Sequence, residues 1–298
     1  MNLEFRFGIA LLLILILIAI FGPRFAPYDP EFSESVRTVV VDGRNEYIFA
    51  PELPGKRHPL GTDKDGYDFL TMILYGAKYT IGACFLIALL RIVPGLVWGI
   101  AAGMKKPNSR KMESAGAIPA FVILFFILAG MTFNTTISTG KLFFIQTSMI
   151  ALIGIPGVIA AIQEKTWLQT QETYIEAARS CGAGGFRIAL RHIFPHLRGT
   201  TFTVFMTEVI SSLNLIGQLA IFSIFLGGTI ATESPPLLHS ATNEWMGIIA
   251  LTKNSINNRP WMLFVPMTAY LLILISLNLI LHGIEKYYGE KYGKTPFL

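Results

Sequence analysis

The chain has 298 residues, of which 52% are hydrophobic and only 14% carry a charge. Soluble domains contain about 25% charged residues, so this composition argues against a soluble fold with a charged surface. The charges are concentrated in short stretches between long apolar runs, which is typical of a protein that crosses a membrane several times. The net charge of +5 fits the same explanation, because membrane proteins concentrate Lys and Arg in cytoplasmic loops. We expect no binding to nucleic acid.

Six apolar stretches are long enough to span a bilayer core of about 30 Å, which needs roughly 20 residues in a helix. They predict an all-α polytopic membrane protein with six transmembrane helices. The predicted spans are 7–23, 79–104, 115–133, 142–162, 200–227 and 261–283. A cleaved signal peptide is an alternative for the first span. The acidic Glu4 and the lack of a small-residue cleavage site after Phe21 favour an uncleaved anchor.

The distribution of Lys and Arg indicates which side of the membrane each segment occupies. Basic residues are nearly twice as dense in segments 1–6, 105–114, 163–199 and 284–298 as in segments 24–78, 134–141 and 228–260. This bias predicts that both termini lie in the cytoplasm. The chain is divided accordingly into an anchor helix with its outer segment (1–78), a five-helix core (79–284) and a cytoplasmic tail (285–298).

Residues 163–199, here called the central segment, are far longer than a turn between two helices requires. Residues 170–180 favour a short helix, and Gly182 follows where a helix end needs a residue with positive φ. A second short helix is predicted over 186–193, ended by Pro195. The pattern predicts a compact helix–turn–helix on the cytoplasmic side.

The central segment also carries a specific motif. Glu176-Ala177-Ala178, then Gly182 and Ile193-Phe194-Pro195, resemble the EAA signature of ATP-binding-cassette (ABC) importer permeases. The tail is one residue shorter than the general pattern and has Phe where Leu is usual, a form similar to the dipeptide, oligopeptide and nickel branch. Further similarity lies in His58-Pro59-Leu60-Gly61-Thr62-Asp63, in Gly66-Tyr67-Asp68, where Tyr67 replaces a common Arg, and in Trp245-Met246-Gly247.

This resemblance implies that the EAA loop is a coupling helix that docks in a cleft of an ATPase subunit. The implied interface and turn residues are Glu176, Ala177, Ala178, Arg179, Gly182, Arg187 and Pro195. The implied partners are a second homologous permease in a heterodimer, two ATP-binding subunits and an extracytoplasmic solute-binding protein, in the bacterial cytoplasmic membrane. Peptides are the expected cargo, with nickel or a metal–chelator complex as the alternative. EAA triplets also occur in ordinary helices, which leaves a purely structural role open.

The chain itself is not expected to be an enzyme or to bind a cofactor. Gly293-Lys294-Thr295 is the only fragment similar to a phosphate-binding loop, and its preceding glycine, Gly289, has the wrong spacing. ATP is therefore expected to be used by partner subunits. His192 and His196 have the spacing of a metal pair, but Pro195 lies between them and no third ligand is near, so no metal site is expected.

Two charged residues lie inside predicted spans, where each costs roughly 2.5–3.5 kcal/mol at the helix centre. Arg91 lies near the middle of the second span and Glu208 in the first third of the fifth. We expect the two to pair inside the bundle, or one of them to line the pathway. An Arg91 that faces a partner permease is the alternative.

Two other classes of protein are weighed against an importer subunit. A self-contained channel or secondary carrier would show a filter motif or inverted repeats with interrupted helices, and neither stands out in the sequence. A membrane-embedded enzyme would need clustered His, Asp or Ser at one depth. Retention of an ATPase subunit during purification would separate these classes.

Overall fold

The computed structural model describes residues 3–41, 44–105, 119–133, 136–233 and 236–292. Within them the chain is a bundle of long helices with two small β-hairpins. The helices are α1 (Leu3–Phe25), α2 (Phe69–Gly103), α3 (Ala120–Thr132), α4 (Thr139–Thr170), α5 (Thr173–Ser180), α6 (Gly185–Ile188), α7 (Phe194–Ile221), α8 (Trp245–Thr252) and α9 (Trp261–Tyr292). The strands are β1 (Val36–Val41), β2 (Arg44–Phe49), β3 (Thr229–Glu233) and β4 (Pro236–Ser240).

Five helical stretches among the described residues are long and apolar enough to cross a membrane. They correspond to α1, α2, α4, α9 and the continuous stretch Gly185–Ile221. The third predicted span, 115–133, begins outside the described residues, and its described part is the shorter apolar helix α3. The bundle architecture is thus confirmed, whereas the count of six spans stays a prediction.

Helix α2 begins ten residues earlier than the predicted span because a polar cap fixes its start. The Asp68 Oδ2 atom accepts hydrogen bonds from both the backbone N–H and the hydroxyl of Thr71, at 2.8 Å each. The Asp68 Oδ1 atom lies 2.9 Å from Nδ1 of the buried His58. A carboxylate at this position satisfies an otherwise unpaired backbone donor of the first turn and interacts favourably with the helix dipole.

Helices α2 and α4 form the closest contact in the bundle, through a row of glycines. Gly95, Gly99 and Gly103 lie on the face of α2 that contacts α4, and a Cβ atom at any of them would overlap an α4 side chain. The facing residues are Val158, Ile162 and Thr166. Small residues spaced four apart on one face let two helices approach closely.

The two hairpins were not part of the all-α prediction. Strand β1 pairs antiparallel with β2, and β3 with β4. The β-branched run Val36-Arg37-Thr38-Val39-Val40-Val41 favours a strand, since such side chains fit a pleated surface better than a helix. Both hairpins lie in the segments that the charge distribution places outside.

More of the central segment is helical than the sequence predicted. Helix α4 continues beyond the predicted end of its span to Thr170, and only 171–172 and 181–184 are non-helical between α4 and α6. The short helix predicted over 170–180 is present as α5.

The prediction that Pro195 ends the second short helix is wrong. Helix α6 passes through a π-helical turn, Ala189–Ile193, directly into α7, and Pro195 lies in the first turn of α7. The Phe194 N–H donates to the Ala189 carbonyl, five residues back, so the hydrogen-bond ladder shifts by one residue just before the proline. A π turn thus accommodates a residue that has no N–H to donate.

Candidate functional site

Helix α5 is anchored to the bundle by a single buried side chain. Ile175 is fully buried, whereas Glu176 and Ala177, which follow it, are exposed. Ile175 belongs to an apolar cluster at one end of the bundle, here called the anchor cluster. Its other members are Ile92, Val158, Ile162, Ile188, Ile193 and Leu197. These residues come from α2, α4, α6, the π turn and α7, so Ile175 connects α5 to several helices of the bundle.

Tyr174 provides a second connection on the same side of α5. Its hydroxyl accepts a hydrogen bond from Nε2 of Gln169, at the end of α4, at 2.7 Å. Its ring stacks on that of His196 in α7, with 5.4 Å between ring centroids. His196 Nδ1 lies 2.8 Å from the His192 carbonyl oxygen. Both histidines therefore have packing or hydrogen-bonding roles in joining α4, α5 and α7.

The turn after α5 has the conformation that the sequence predicts. Gly182 has φ = +81°, the left-handed region that side chains with a Cβ rarely adopt. Its N–H donates to the Arg179 carbonyl at 2.9 Å, and the Ala183 N–H donates to the Ala178 carbonyl at 3.0 Å. The prediction that Gly182 closes this helix is confirmed, and the turn fixes how α5 stands relative to α6.

The predicted interface residues form a largely exposed surface. Glu176, Ala177 and Arg179 are exposed on α5, and Arg187 is exposed on α6. Ala178 and Pro195 are partly buried. Phe186, a residue type that is normally buried, is 80% exposed. The surface therefore combines both signs of charge, small side chains and one protruding aromatic ring.

Arg91 and Glu208 are in direct contact inside the bundle. Nη1 of Arg91 lies 2.6 Å from Oε2 of Glu208, and Nη2 donates to the Ile150 carbonyl at 2.8 Å. The Arg91 side chain is 3% exposed and that of Glu208 is 18% exposed. Arg91 therefore links α2 to both α4 and α7, and the carboxylate offsets the cost of burying the guanidinium.

Gly154 makes room for this pair, and sequence reasoning missed it. A Cβ atom at Gly154 would overlap the guanidinium group of Arg91. Gly157, one turn along α4, has nothing within 4 Å of such an atom. The two glycines look alike in sequence because the requirement at Gly154 comes from a side chain on another helix.

A cavity of 940 Å³ lies beside the Arg91–Glu208 pair. It is lined by parts of α3, α4 and α7, and a second cavity of 600 Å³ shares Asn214 and Gln218 with it. The second cavity extends along α7 to Lys253 beyond α8. Together, here called the α7 cavity, they follow the second half of α7, from Thr207 to Ile221.

Helix α7 presents a row of polar residues to the α7 cavity. Thr207, Ser211, Asn214 and Gln218 are exposed, line the cavity and are spaced three or four residues apart. This spacing places them on one face of the helix. An exposed polar row on an apolar helix is typical of a face that lines water or a partner rather than lipid. The spacing is visible in the sequence, but these residues were not among the predicted site residues.

Comparison with known proteins identifies the family. Residues 95–294 match the family described as binding-protein-dependent transport system inner membrane component. The chain belongs to this family. Residues 5–44 also match the N-terminal transmembrane domain of oligopeptide transport permease C. Both matches confirm the resemblance to ABC importer permeases, and the protein is a multi-pass membrane permease of that type.

Curated relatives cover nearly the whole chain. The di/tripeptide transport system permease protein of Pseudomonas aeruginosa is 25% identical over 93% of this chain and 85% of its own length. The dipeptide permease protein of Haemophilus influenzae is 27% identical, with coverage of 93% and 87%. The oligopeptide permease protein of Bacillus subtilis is 23% identical, with coverage of 96% and 85%.

Proposed function

We propose that this chain forms half of the translocation pathway of an ATP-driven, binding-protein-dependent importer for di- and oligopeptides in the bacterial cytoplasmic membrane. A second homologous permease forms the other half. Two ATP-binding subunits act from the cytoplasm, and an extracytoplasmic solute-binding protein delivers the cargo. The arrangement of α5, anchored through Ile175 and exposed at Glu176 and Ala177, is the observation that carries the proposal.

The contacts of α5 support a mechanical role for the central segment. An ATPase subunit that grips the exposed face of α5 moves Ile175, and with it the anchor cluster. The cluster includes Val158 of α4 and Leu197 of α7, so both long helices respond. The same two helices hold Ile150 and Glu208 against Arg91, which brings α2 into the movement. Switching between inward- and outward-open states needs such a coupled element, biased by the nucleotide.

The α7 cavity supports a role as one wall of the pathway. Polar side chains line it along α7. A peptide has amide groups along its whole backbone, and polar groups such as Asn214 and Gln218 can exchange hydrogen bonds with amides. The names of the relatives support peptide cargo.

Charge reversal at Glu176 tests the coupling part of the proposal. Glu176→Arg is expected to reduce both co-purification of the ATPase subunits and uptake of a labelled dipeptide. Glu164→Arg is the matched control, because Glu164 is also exposed but lies on α4, outside the proposed interface. Equal retention and equal uptake in the two variants would refute the coupling role.

Cargo is tested separately with a strain that lacks this chain. Restoring the chain should restore uptake of labelled di- and oligopeptides, and unlabelled peptides should compete. Restored uptake of nickel or of a metal chelate without peptide uptake would favour the alternative cargo. Uptake by the chain alone, without ATPase subunits, would favour a channel or secondary carrier.

A further inference from the structure

Three metal-ligating side chains meet at the opposite end of α2 from the central segment. Asp63 and Asp65 lie in the loop before α2, and His239 lies on β4. One ligand atom from each residue lies within 4.8 Å of the others. Two separate parts of the chain therefore meet here, and the coupling mechanism proposed above does not use them.

The carboxylate of Asp63 is held in a fixed orientation. Its Oδ1 atom accepts backbone N–H groups of Asp65 at 2.9 Å and Tyr67 at 2.8 Å, and the residue is only 6% exposed. Burial raises the pKa of Asp63 to about 7, and the neighbouring Asp65 carboxylate adds to the shift. The Lys64 ammonium lies 3.9 Å from Asp65 with a side chain that is 50% exposed. Lys64 is thus a weak counter-charge for two carboxylates.

His239 carries an unsatisfied ring nitrogen. Among the described residues its Nε2 atom is buried and has no hydrogen-bond partner. The ring packs against Tyr67, with 4.3 Å between centroids, so its orientation is fixed. A buried polar atom without a partner needs an explanation, and a bound ion is one such explanation.

We propose that Asp63, Asp65 and His239 bind a divalent transition-metal ion of the zinc type. Carboxylate and imidazole ligands lie about 2.0–2.2 Å from zinc, so three of them around one ion lie roughly 3–4 Å apart. This spacing is compatible with ligand atoms that all lie within 4.8 Å of one another. An imidazole ligand favours a transition metal over Ca²⁺ or Mg²⁺, which prefer oxygen ligands only. Water completes the coordination.

The ion would join two outer segments that are distant in sequence. One precedes α2, and the other is the β3–β4 hairpin, where His239 pairs with Ile230 across the strands. No metal site was expected from the sequence, because these three ligands are not close together along the chain. These ligands come together only after α2 and α7 have packed.

The test uses the complete importer complex, purified through a tag that contains no histidine. Cobalt(II) is titrated as the probe, because its visible absorption reports coordination by protein nitrogen and oxygen. The wild-type complex should bind one more equivalent of cobalt than the His239→Asn variant. Asp65→Asn should weaken the apparent affinity for cobalt, read from the difference spectrum, at least tenfold. His282→Asn is the control, since that exposed histidine lies on α9 and should leave the titration unchanged.

A second measurement, the melting temperature, distinguishes loss of metal binding from misfolding. Zinc should raise the melting temperature of the wild-type complex and of His282→Asn, but not that of His239→Asn or Asp65→Asn. The melting temperatures in chelator show whether the variants fold. If His239→Asn does not fold, the wild type is compared with Asp65→Asn, which changes a more accessible carboxylate. Equal cobalt binding and equal zinc stabilisation in the wild type and a folded ligand variant would overturn the proposal.

Discussion

The central segment and the Arg91–Glu208 pair involve the same helices but are built in opposite ways. The central segment uses residues that are close in sequence, and its helix α5 leaves its charged groups exposed beside one fully buried side chain, Ile175. The charged pair joins residues from α2 and α7, with α4 supplying a carbonyl and an open position at Gly154. One region exposes a charged surface, and the other joins α2, α4 and α7 inside the bundle.

Breaking the charged pair should have the largest effect. Arg91→Glu places two carboxylates together in a low-dielectric interior, and loss of one partner of a buried pair costs about 3–5 kcal/mol. We expect loss of peptide uptake and a large drop in the amount of chain in the membrane. The double variant Arg91→Glu with Glu208→Arg should recover part of both. A double variant that is present in the membrane but as inactive as the single ones would contradict the role of pairing.

Removal of the buried Ile175 side chain that anchors α5 should have the second-largest effect. Ile175→Ala empties a fully buried position, and such changes cost about 2–5 kcal/mol. Thermal unfolding of the detergent-purified complex should shift downward, and ATP hydrolysis should lose its dependence on peptide. Ile256→Ala is the matched control, because Ile256 is 48% exposed. Equal shifts in the two variants would mean that Ile175 does not anchor the helix.

A methyl group placed against Arg91 should lower uptake and melting temperature less than loss of the Arg91–Glu208 pair does. Gly154→Ala forces the guanidinium to move, and overpacking of this kind costs about 1–3 kcal/mol. Gly157→Ala on the same helix meets open space and should behave as wild type. Uptake and melting temperature measured side by side give the comparison. Similar values for the two alanine variants would show that the close approach at Gly154 is not required.

The smallest effect is expected at the turn after α5. Gly182→Ala imposes a Cβ on a left-handed backbone conformation, which costs about 1 kcal/mol. Gly184 has an extended conformation with open space around it, so Gly184→Ala should be neutral. We expect a modest decrease in uptake for the first variant alone, measured at equal membrane levels. A decrease in both would point to a general sensitivity of the loop.

The sequence predicted the features that depend on local pattern. The long apolar runs, the short helix α5 and the positive φ at Gly182 follow from composition, helix propensity and cap chemistry. The EAA resemblance pointed to the family that the comparisons identify. The coupling role of these residues stays a prediction.

Features that depend on contacts between distant residues could not be predicted in the same way. Pro195 alone indicates a helix end, whereas the structure continues the helix through a π turn whose residue Ile193 is buried against side chains of α2 and α4. The special position of Gly154 requires knowledge of where Arg91 points. The cluster of Asp63, Asp65 and His239 forms only when two outer segments meet. The sequence did suggest that Arg91 and Glu208 could approach, because a long Arg side chain can partly close the difference of roughly 7.5 Å between their predicted depths.

The central claim is that an ATPase subunit grips the exposed face of α5, and the native cysteines permit a direct measurement. Cys181 is exposed directly after α5, whereas Cys84 is buried in α2, so a bulky maleimide applied to the folded chain reports on the turn next to α5. Cysteine-free partner subunits and a Cys181→Ser background make the signal specific. The account predicts rapid labelling of Cys181 in the permease pair alone and at least about tenfold slower labelling in the complete complex. Equal labelling rates in an intact complex that retains its ATPase subunits would contradict it.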